Sequence, residues 1–181
     1  MQIEKYKIES HNESLLKAHR NKFEYCSAAI EKAESIVKKL IDFQVAIPSW
    51  ALGTGGTRFG RFSGGGEPRN LEEKIEDIGL LHALNKSSGA ISLHIPWDIP
   101  ENPVHIKALA AQHGLQFDAM NSNTFQDQPN QQLSYKFGSL QNVNKAIRQQ
   151  AINHNIEVIR YGEELGSTAL TVWLSDGSCF P

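Results

Sequence analysis

Residues 45–69, VAIPSWALGTGGTRFGRFSGGGEPR, join a short apolar stretch that ends in a tryptophan to a long glycine-rich segment. Glycine loses more conformational entropy on ordering than any other residue, so this segment predicts a loop rather than the interior of a helix or strand. Long loops inside compact domains are mostly functional or disordered. We interpret this one as contacting a ligand or another subunit, because aromatic and basic side chains are interleaved with the glycines, namely Arg58, Phe59, Arg61 and Phe62.

Two other interpretations of the glycine-rich segment remain open, a flexible surface loop and a phosphate cradle. The letters GTGGTRFGRFSGGG match neither the GxGxxG that opens a helix directly nor the GxxxxGK[ST] of a P-loop. The next predicted helix begins only at about Leu71, well after the glycines. The sequence therefore favours a ligand or subunit contact over a nucleotide site.

Size and composition indicate one globular domain. The 181 residues can bury one core, and 40% hydrophobic with 21% charged residues is typical of a soluble protein. A net charge of -2 disfavours nucleic acid and anionic membrane as partners. No apolar run approaches the roughly 20 residues of a membrane span, and the start MQIEKYKIES lacks the apolar core of a signal peptide. Cys26 and Cys179 have no CxxC spacing, so we expect reduced thiols and a cytoplasmic protein.

Residues 1–42 are predicted to form leading helices. Ser10 and Glu13 have the spacing of a capping box, and apolar residues follow them at helical intervals. A second, more strongly amphipathic helix is indicated by one apolar stripe, which consists of Ala29, Ala33, Ile36, Val37, Leu40 and Ile41.

Residues 43–181 alternate between predicted strands and helices. Apolar stretches predict four strands, at residues 45–51, 89–95, 115–121 and 168–174. Such alternation predicts parallel strands joined by helical crossovers. No composition shift divides the chain, so we expect a single domain over residues 1–181.

The connecting helices carry recognisable start and stop signals. Asn70 with Glu73 has capping-box spacing, and Asn102 followed by Pro103 suits the start of a helix that Gly114 ends. A long helix over about residues 140–162 is indicated by one stripe, which consists of Val143, Ile147, Ala151, His154, Val158 and Tyr161.

Polar and aromatic residues follow the predicted strands, whereas the strand starts show nothing comparable. They are Trp50, His94, Trp97, Asn121, Asn123, Trp173 and Asp176. Both a (β/α)8 barrel and a flavodoxin-like open sheet place their sites at the carboxyl ends of the strands. Chain length alone slightly favours the open sheet, since a complete barrel takes about 250 residues.

Three tryptophans and a histidine at these strand ends point to a sugar. Tryptophan faces suit the apolar C–H faces of a sugar ring, and histidine and asparagine can hydrogen-bond its hydroxyls. Each of these residues taken singly also fits a packing role. No metal site is predicted, because His94 and Asp98 have no matching third ligand, and no Ser–His–Asp or Cys–His arrangement follows from the spacing.

Four motifs in order resemble the broad-specificity bacterial L-rhamnose isomerase family. They are FQVAIPSWALGTGGTRFGRF (43–62), ISLHIPWD (91–98), MNSNTFQDQ (120–128) and TVWLSDGSCFP (171–181). That family belongs to the xylose-isomerase-like group of TIM barrels. The resemblance extends over essentially the whole chain and implies an α/β fold containing about the first four β/α units of a (β/α)8 barrel.

The resemblance also implies an activity, the isomerisation of L-rhamnose to L-rhamnulose by hydrogen transfer between C1 and C2. It implies a divalent cofactor, manganese, that polarises the sugar oxygens. Trp50, His94, Trp97 and Trp173 match the family's substrate pocket, in which His94 hydrogen-bonds the sugar and assists ring opening as the catalytic residue. Phe59 matches an aromatic residue that the glycine-rich loop lends to a neighbouring subunit, which implies a homo-oligomer.

The chain departs from the family's pattern in its metal ligands. In the family these ligands come from later strands, and none of them matches a residue of this chain. The resemblance therefore implies the sugar-contacting wall of the site without its metal ligands. The alternative function is a non-catalytic half-barrel that binds a sugar or a partner chain.

Four parallel strands cannot close a barrel of this type. We therefore expect open edges on the first and fourth strands, whose unpaired N–H and C=O groups can pair with another chain. We also expect uncovered inward side chains, for which the candidates are Val45, Ile47, Leu93 and Val172. These expectations imply a marginally stable chain that aggregates or pairs edge to edge.

Overall fold

The computed structural model describes residues 3–27, 33–52, 55–57, 60–62 and 65–174 of the chain. After two leading helices, strands and helices alternate. The helices are α1 (Lys5–Ser27), α2 (Ala33–Asp42), α3 (Leu71–Asn85), α4 (Pro103–Gln112) and α5 (Lys145–Leu165), and a 3-10 turn spans Ser49–Ala51. The strands are β1 (Ala46–Pro48), β2 (Gly55–Thr57), β3 (Gly60–Phe62), β4 (Ala90–Ser92), β5 (His94–Ile95), β6 (Gln116–Phe117), β7 (Met120–Thr124) and β8 (Leu170–Leu174).

Two small parallel sheets form the centre of the fold. Their strand orders are β1-β4-β6 and β5-β7-β8. Only Leu93 separates β4 from β5, and residues 118 and 119 separate β6 from β7, so the second and third predicted strands each run through both sheets. The predicted parallel α/β arrangement is confirmed. The described residues do not form a closed barrel, so the (β/α)8 architecture remains a proposal.

The core lies between the sheets and the helices that cover one side of them. Its largest fully buried side chains come from α3, α5 and the strand segments, and they are Ile75, Ile78, Ile91, Leu93, Ile95, Met120 and Val158. The expectation that Leu93 is uncovered is wrong, because Leu93 is fully buried in the core cluster that includes residues of α3 and α5. Val45 and Val172 are 43% and 36% exposed, as expected, whereas Ile47 packs partly against the core.

Asparagine caps start two of the connecting helices as predicted. The Asn70 side chain accepts a hydrogen bond from the Glu73 backbone N–H (2.9 Å), and the Asn102 side chain accepts one from His105 N–H (3.1 Å). Each cap satisfies a donor that the helix itself cannot pair. Pro103 follows Asn102 at the first helical position.

The predicted cap of the first helix is wrong. α1 begins at Lys5, so Ser10 and Glu13 lie inside it, and both are exposed. Capping-box spacing also occurs by chance on a solvent-facing helix surface, where nothing in the sequence marks the true start.

A hydrogen bond from Asn12 Nδ2 to the Ala83 carbonyl (2.7 Å) connects α1 to α3.

The last helix begins later than predicted. α5 starts at Lys145, and Val143 precedes it with 98% of its surface exposed. The delay has a local cause, because Asn142 Oδ1 accepts the Asn144 N–H (2.8 Å) and Asn144 Oδ1 accepts the Ala146 N–H (2.9 Å). Such side-chain bonds to the backbone compete with the helix and move its start.

Part of the glycine-rich segment forms a hairpin rather than a loop. β2 and β3 pair antiparallel, with Gly55 opposite Phe62 and Thr57 opposite Gly60. The prediction of an unpaired loop is therefore wrong here, because ladder hydrogen bonds satisfy the backbone and offset the entropy that glycine loses. The predicted contact residue Phe59 lies outside the described residues.

Several apolar surfaces are exposed. α2 buries none of its residues, and Ile36, Leu40 and Ile41 of its predicted stripe are 48%, 68% and 67% exposed. α5 likewise exposes Ile152 and Ile156, at 41% and 43%.

Within the described ranges, no helix combines the length and apolarity needed to cross a bilayer.

The outer edge of β8 generates a prediction about association. Among the described residues no strand pairs with this edge, where Leu174 is 52% exposed. A lysine on an edge strand blocks pairing with another chain. We expect the wild-type protein to self-associate and Leu174→Lys to lower the average molar mass that light scattering measures. The control variant Val104→Lys, at an 80% exposed position on α4, should leave that molar mass unchanged. Light scattering checks this, and a wild-type monomer with a cooperative high-temperature transition contradicts it.

The histidine on the buried side of α5 generates a prediction about pH. Burial lowers the pKa of His154 against opposing effects of the Glu157 charge and a hydrogen bond with the Ile95 backbone. Since the folded pKa lies below the unfolded value, the unfolded chain binds the extra proton first and stability falls as pH drops below that value.

We therefore expect wild type to lose more stability than His154→Gln between about pH 7.5 and about pH 5.5. Urea unfolding at the two pH values measures the difference, and the carboxylates common to both proteins cancel. Equal losses would show that His154 does not contribute.

Candidate functional site

Parallel pairing lines up side chains from three separate stretches of chain. His94 of β5 is in register with Asn121 of β7, which is in register with Thr171 of β8, and Asn123 is in register with Trp173. Because side chains alternate along a strand, His94, Asn121, Asn123 and Trp173 share one face, which we call the front face. The opposite face carries Met120 and packs against α5, where a Cβ on Gly162 would lie 3.1 Å from Met120 Cγ.

Five rings gather at the carboxyl end of the front face. His94 stacks on Trp97 with ring centroids 4.0 Å apart and an interplanar angle of 17°, and Trp50 meets His94 edge-on at 5.1 Å. Trp173 and Phe125 each lie 6.2 Å from His94. We call Trp50, His94, Trp97, Phe125 and Trp173 the aromatic cluster. The structure thus brings together Trp50, His94, Trp97 and Trp173, and their role as substrate contacts stays a prediction.

Phe125 joins the cluster without having been predicted as a site residue. The signal for it was present, because Phe125 continues the alternate-residue spacing of Asn121 and Asn123 beyond the end of β7. Its ring lies 6.1 Å from that of Trp173.

A buried carboxylate shapes the turn that carries the stacked pair. The Asp98 N–H donates to the His94 carbonyl and the His94 N–H donates to Asp98 Oδ2, both at 2.9 Å. Lys74 Nζ of α3 donates to Asp98 Oδ1, and Ser49 Oγ donates to Asp98 Oδ2. The side chains of Lys74 and Asp98 are 6% and 1% exposed. Asp98 therefore connects three parts of the fold by hydrogen bonds, namely α3, the end of β1 and the turn after β5.

Sequence reasoning missed Lys74 and Ser49 and considered Asp98 only as a metal ligand. A signal for Lys74 existed, because it lies on the same helical stripe as the buried Leu71, Ile75 and Ile78. A lysine on an apolar stripe needs a buried counter-charge.

A second set of hydrogen bonds holds Trp173. Its Nε1–H donates to Asn121 Oδ1 (3.0 Å), and the Asn121 Nδ2 group donates to the carbonyls of Leu93 (3.0 Å) and Ala119 (3.1 Å). Thr124 Oγ1 donates to the Trp173 carbonyl. His94 is 2% exposed and Trp173 is 43% exposed, so the cluster is closed over His94 and meets solvent at Trp173.

The described residues do not fit a metal centre. Over the described ranges no group of three or more histidine, cysteine, aspartate or glutamate side chains converges. The acid nearest the cluster in sequence, Asp98, already accepts hydrogen bonds from Lys74, Ser49 and His94.

The buried ion pair generates a prediction about stability. Removing the lysine leaves the Asp98 carboxylate buried without a counter-charge, so we expect Lys74→Met to cost about 3–5 kcal/mol of unfolding free energy. The matched control is Lys38→Met, because Lys38 pairs with Asp42 on the surface at 78% and 62% exposure and we expect it to cost about 0–1 kcal/mol. Urea unfolding compares the two, and equal losses would contradict the assignment.

No protein-family model matches the chain. Curated proteins that are similar to it include a probable sugar isomerase of Mesorhizobium japonicum, 54% identical over 148 residues, and a probable sugar isomerase of Rhizobium meliloti, 52% identical over 148 residues. Each alignment covers 82% of this chain and 34% of the relative, so the chain spans about a third of the length of these curated relatives. Most of the chain is thus similar to a segment that makes up about one third of each of these two probable sugar isomerases.

Proposed function

We propose that the chain forms the sugar-contacting part of an aldose–ketose isomerase that converts L-rhamnose to L-rhamnulose. The observation that carries the proposal is the aromatic cluster around His94 at the carboxyl ends of parallel strands. Support also comes from the similarity to probable sugar isomerases. Stacked rings with neighbouring amide and imidazole groups suit a sugar, which presents both C–H faces and hydroxyls.

The architecture that goes with this function is a (β/α)8 barrel. Four parallel strand segments in sequential order, with the aromatic cluster at their carboxyl ends, support about half of such a barrel. In this proposal the glycine-rich segment reaches a neighbouring subunit of a homo-oligomer through Phe59.

Within the cluster the tryptophans and His94 have different roles. The faces of Trp50, Trp97 and Trp173 pack against the sugar's C–H groups and exclude water from the reacting carbons. His94 accepts the proton of the anomeric hydroxyl and returns it to the ring oxygen, which opens the sugar ring. His94 is 2% exposed, so a sugar reaches it only when a ring of the cluster moves aside.

Hydrogen transfer between C1 and C2 needs more than these residues. The resemblance to the rhamnose isomerase family implies a divalent metal, manganese, and the described residues provide no ligand group for one. The task of this part of the chain is therefore to bind the sugar, orient it and open its ring.

The alternative proposal is a non-catalytic half-barrel that binds a sugar or a partner chain. One observation favours it, because among the described members of the aromatic cluster His94 is the sole titratable side chain. Rings and amides alone bind a ligand without transforming it.

Ring opening separates the two proposals. We expect the protein to accelerate the exchange between the α and β anomers of L-rhamnose, which passes through the open chain, and His94→Asn to lower that acceleration by about 10²–10⁴-fold because ring opening loses its acid–base group. The matched control is His105→Asn on the exposed side of α4, which should retain activity.

Calorimetry with L-rhamnose measures binding separately. Binding without accelerated exchange of the anomers supports the half-barrel alternative. The absence of both binding and accelerated exchange contradicts both proposals.

A further inference from the structure

One amide on the front face has no hydrogen-bond partner among the described residues. Asn123 is 1% exposed, and neither its Oδ1 nor its Nδ2 pairs with any group in that part of the chain. Asn121, two residues earlier on the same face, uses both ends of its amide, accepting from Trp173 and donating to the Leu93 and Ala119 carbonyls. The contrast is therefore between a structural asparagine and one whose hydrogen-bonding capacity is unused.

An unpaired buried amide makes the folded state less stable. Almost all buried polar groups in proteins are hydrogen-bonded, and a buried group left unpaired carries its full desolvation cost. A leucine of nearly the same shape at position 123 would avoid that cost. Asn123 thus contributes nothing to folding that an apolar residue would not supply better.

The position of Asn123 shows what its amide faces. Asn123 is in register with Trp173 of β8. Asn121, which precedes it by two residues on the front face, is in register with His94 of β5. Phe125 follows two residues later. A ligand held between the rings of the aromatic cluster therefore meets an amide that offers donors and an acceptor side by side.

We propose that Asn123 is a specificity-determining residue that hydrogen-bonds two adjacent hydroxyls of a monosaccharide, donating to one and accepting from the other. The inference rests on the proposed function. The sugar enters at Trp173, which is 43% exposed and whose indole N–H is held by Asn121 Oδ1, while Thr124 keeps the Trp173 backbone in place. A sugar lacking either hydroxyl leaves the amide unpaired and is rejected.

Intrinsic fluorescence measures this binding directly. The chain has 3 tryptophans, and Trp50, Trp97 and Trp173 all belong to the aromatic cluster, so the signal comes from the site alone. We expect the full chain to bind L-rhamnose and Asn123→Leu to bind it at least about tenfold more weakly. One of the monodeoxy analogues of L-rhamnose should show the same loss with wild-type protein, a comparison that needs no variant.

Thermal unfolding gives an independent readout. We expect Asn123→Leu to raise Tm by about 2–4 °C, because it removes an unpaired amide. The matched control is Asn155→Leu on α5, which is 9% exposed and whose Nδ2 donates to the Ala151 carbonyl at 2.8 Å. That variant should leave sugar binding unchanged and not raise Tm.

The outcomes separate this inference from the proposed function. If wild type binds L-rhamnose and Asn123→Leu binds it equally well, the role of Asn123 is wrong and the proposed function stands. If Asn123→Leu lowers Tm, the amide has a partner within the protein and the inference is overturned. If wild type binds no sugar, both fail together.

Discussion

The site depends on the buried carboxylate of Asp98. A charge in that position is tolerated only with a counter-charge and hydrogen bonds, and Lys74, Ser49 and the His94 N–H supply them. These three groups come from α3, from the end of β1 and from β5. Since Trp50 follows Ser49 and Trp97 precedes Asp98, one carboxylate determines where two of the cluster's rings lie.

Parallel register determines the rest of the site. It sets His94 beside Asn121 and Asn123 beside Trp173, so residues far apart in the chain share one face. On that face two asparagines differ in their hydrogen bonding. Asn121 satisfies its hydrogen bonds within the protein and holds Trp173, whereas Asn123 satisfies none among the described residues and makes the folded state less stable than an apolar residue would.

Much of the fold could be predicted because its signals are local. The caps at Asn70 and Asn102 and the succession of four parallel strand segments along the chain follow from short-range chemistry and periodicity. Predictions from local sequence were wrong where hydrogen bonds to a specific partner override the local preference of a segment. Pairing of β2 with β3 organises part of a glycine-rich segment, and the asparagine bonds before α5 delay its start to Lys145.

The sequence by itself determined the alternation of strands and helices and the position of Trp50, His94, Trp97 and Trp173 at strand ends. Those properties follow from residue spacing along one segment. Only the tertiary structure decided that Lys74 pairs with Asp98, that Phe125 joins the rings, and that Leu93 is buried. The physical reason is that burial and ion pairing depend on which segments meet in space, and a single segment contains no information about its partner.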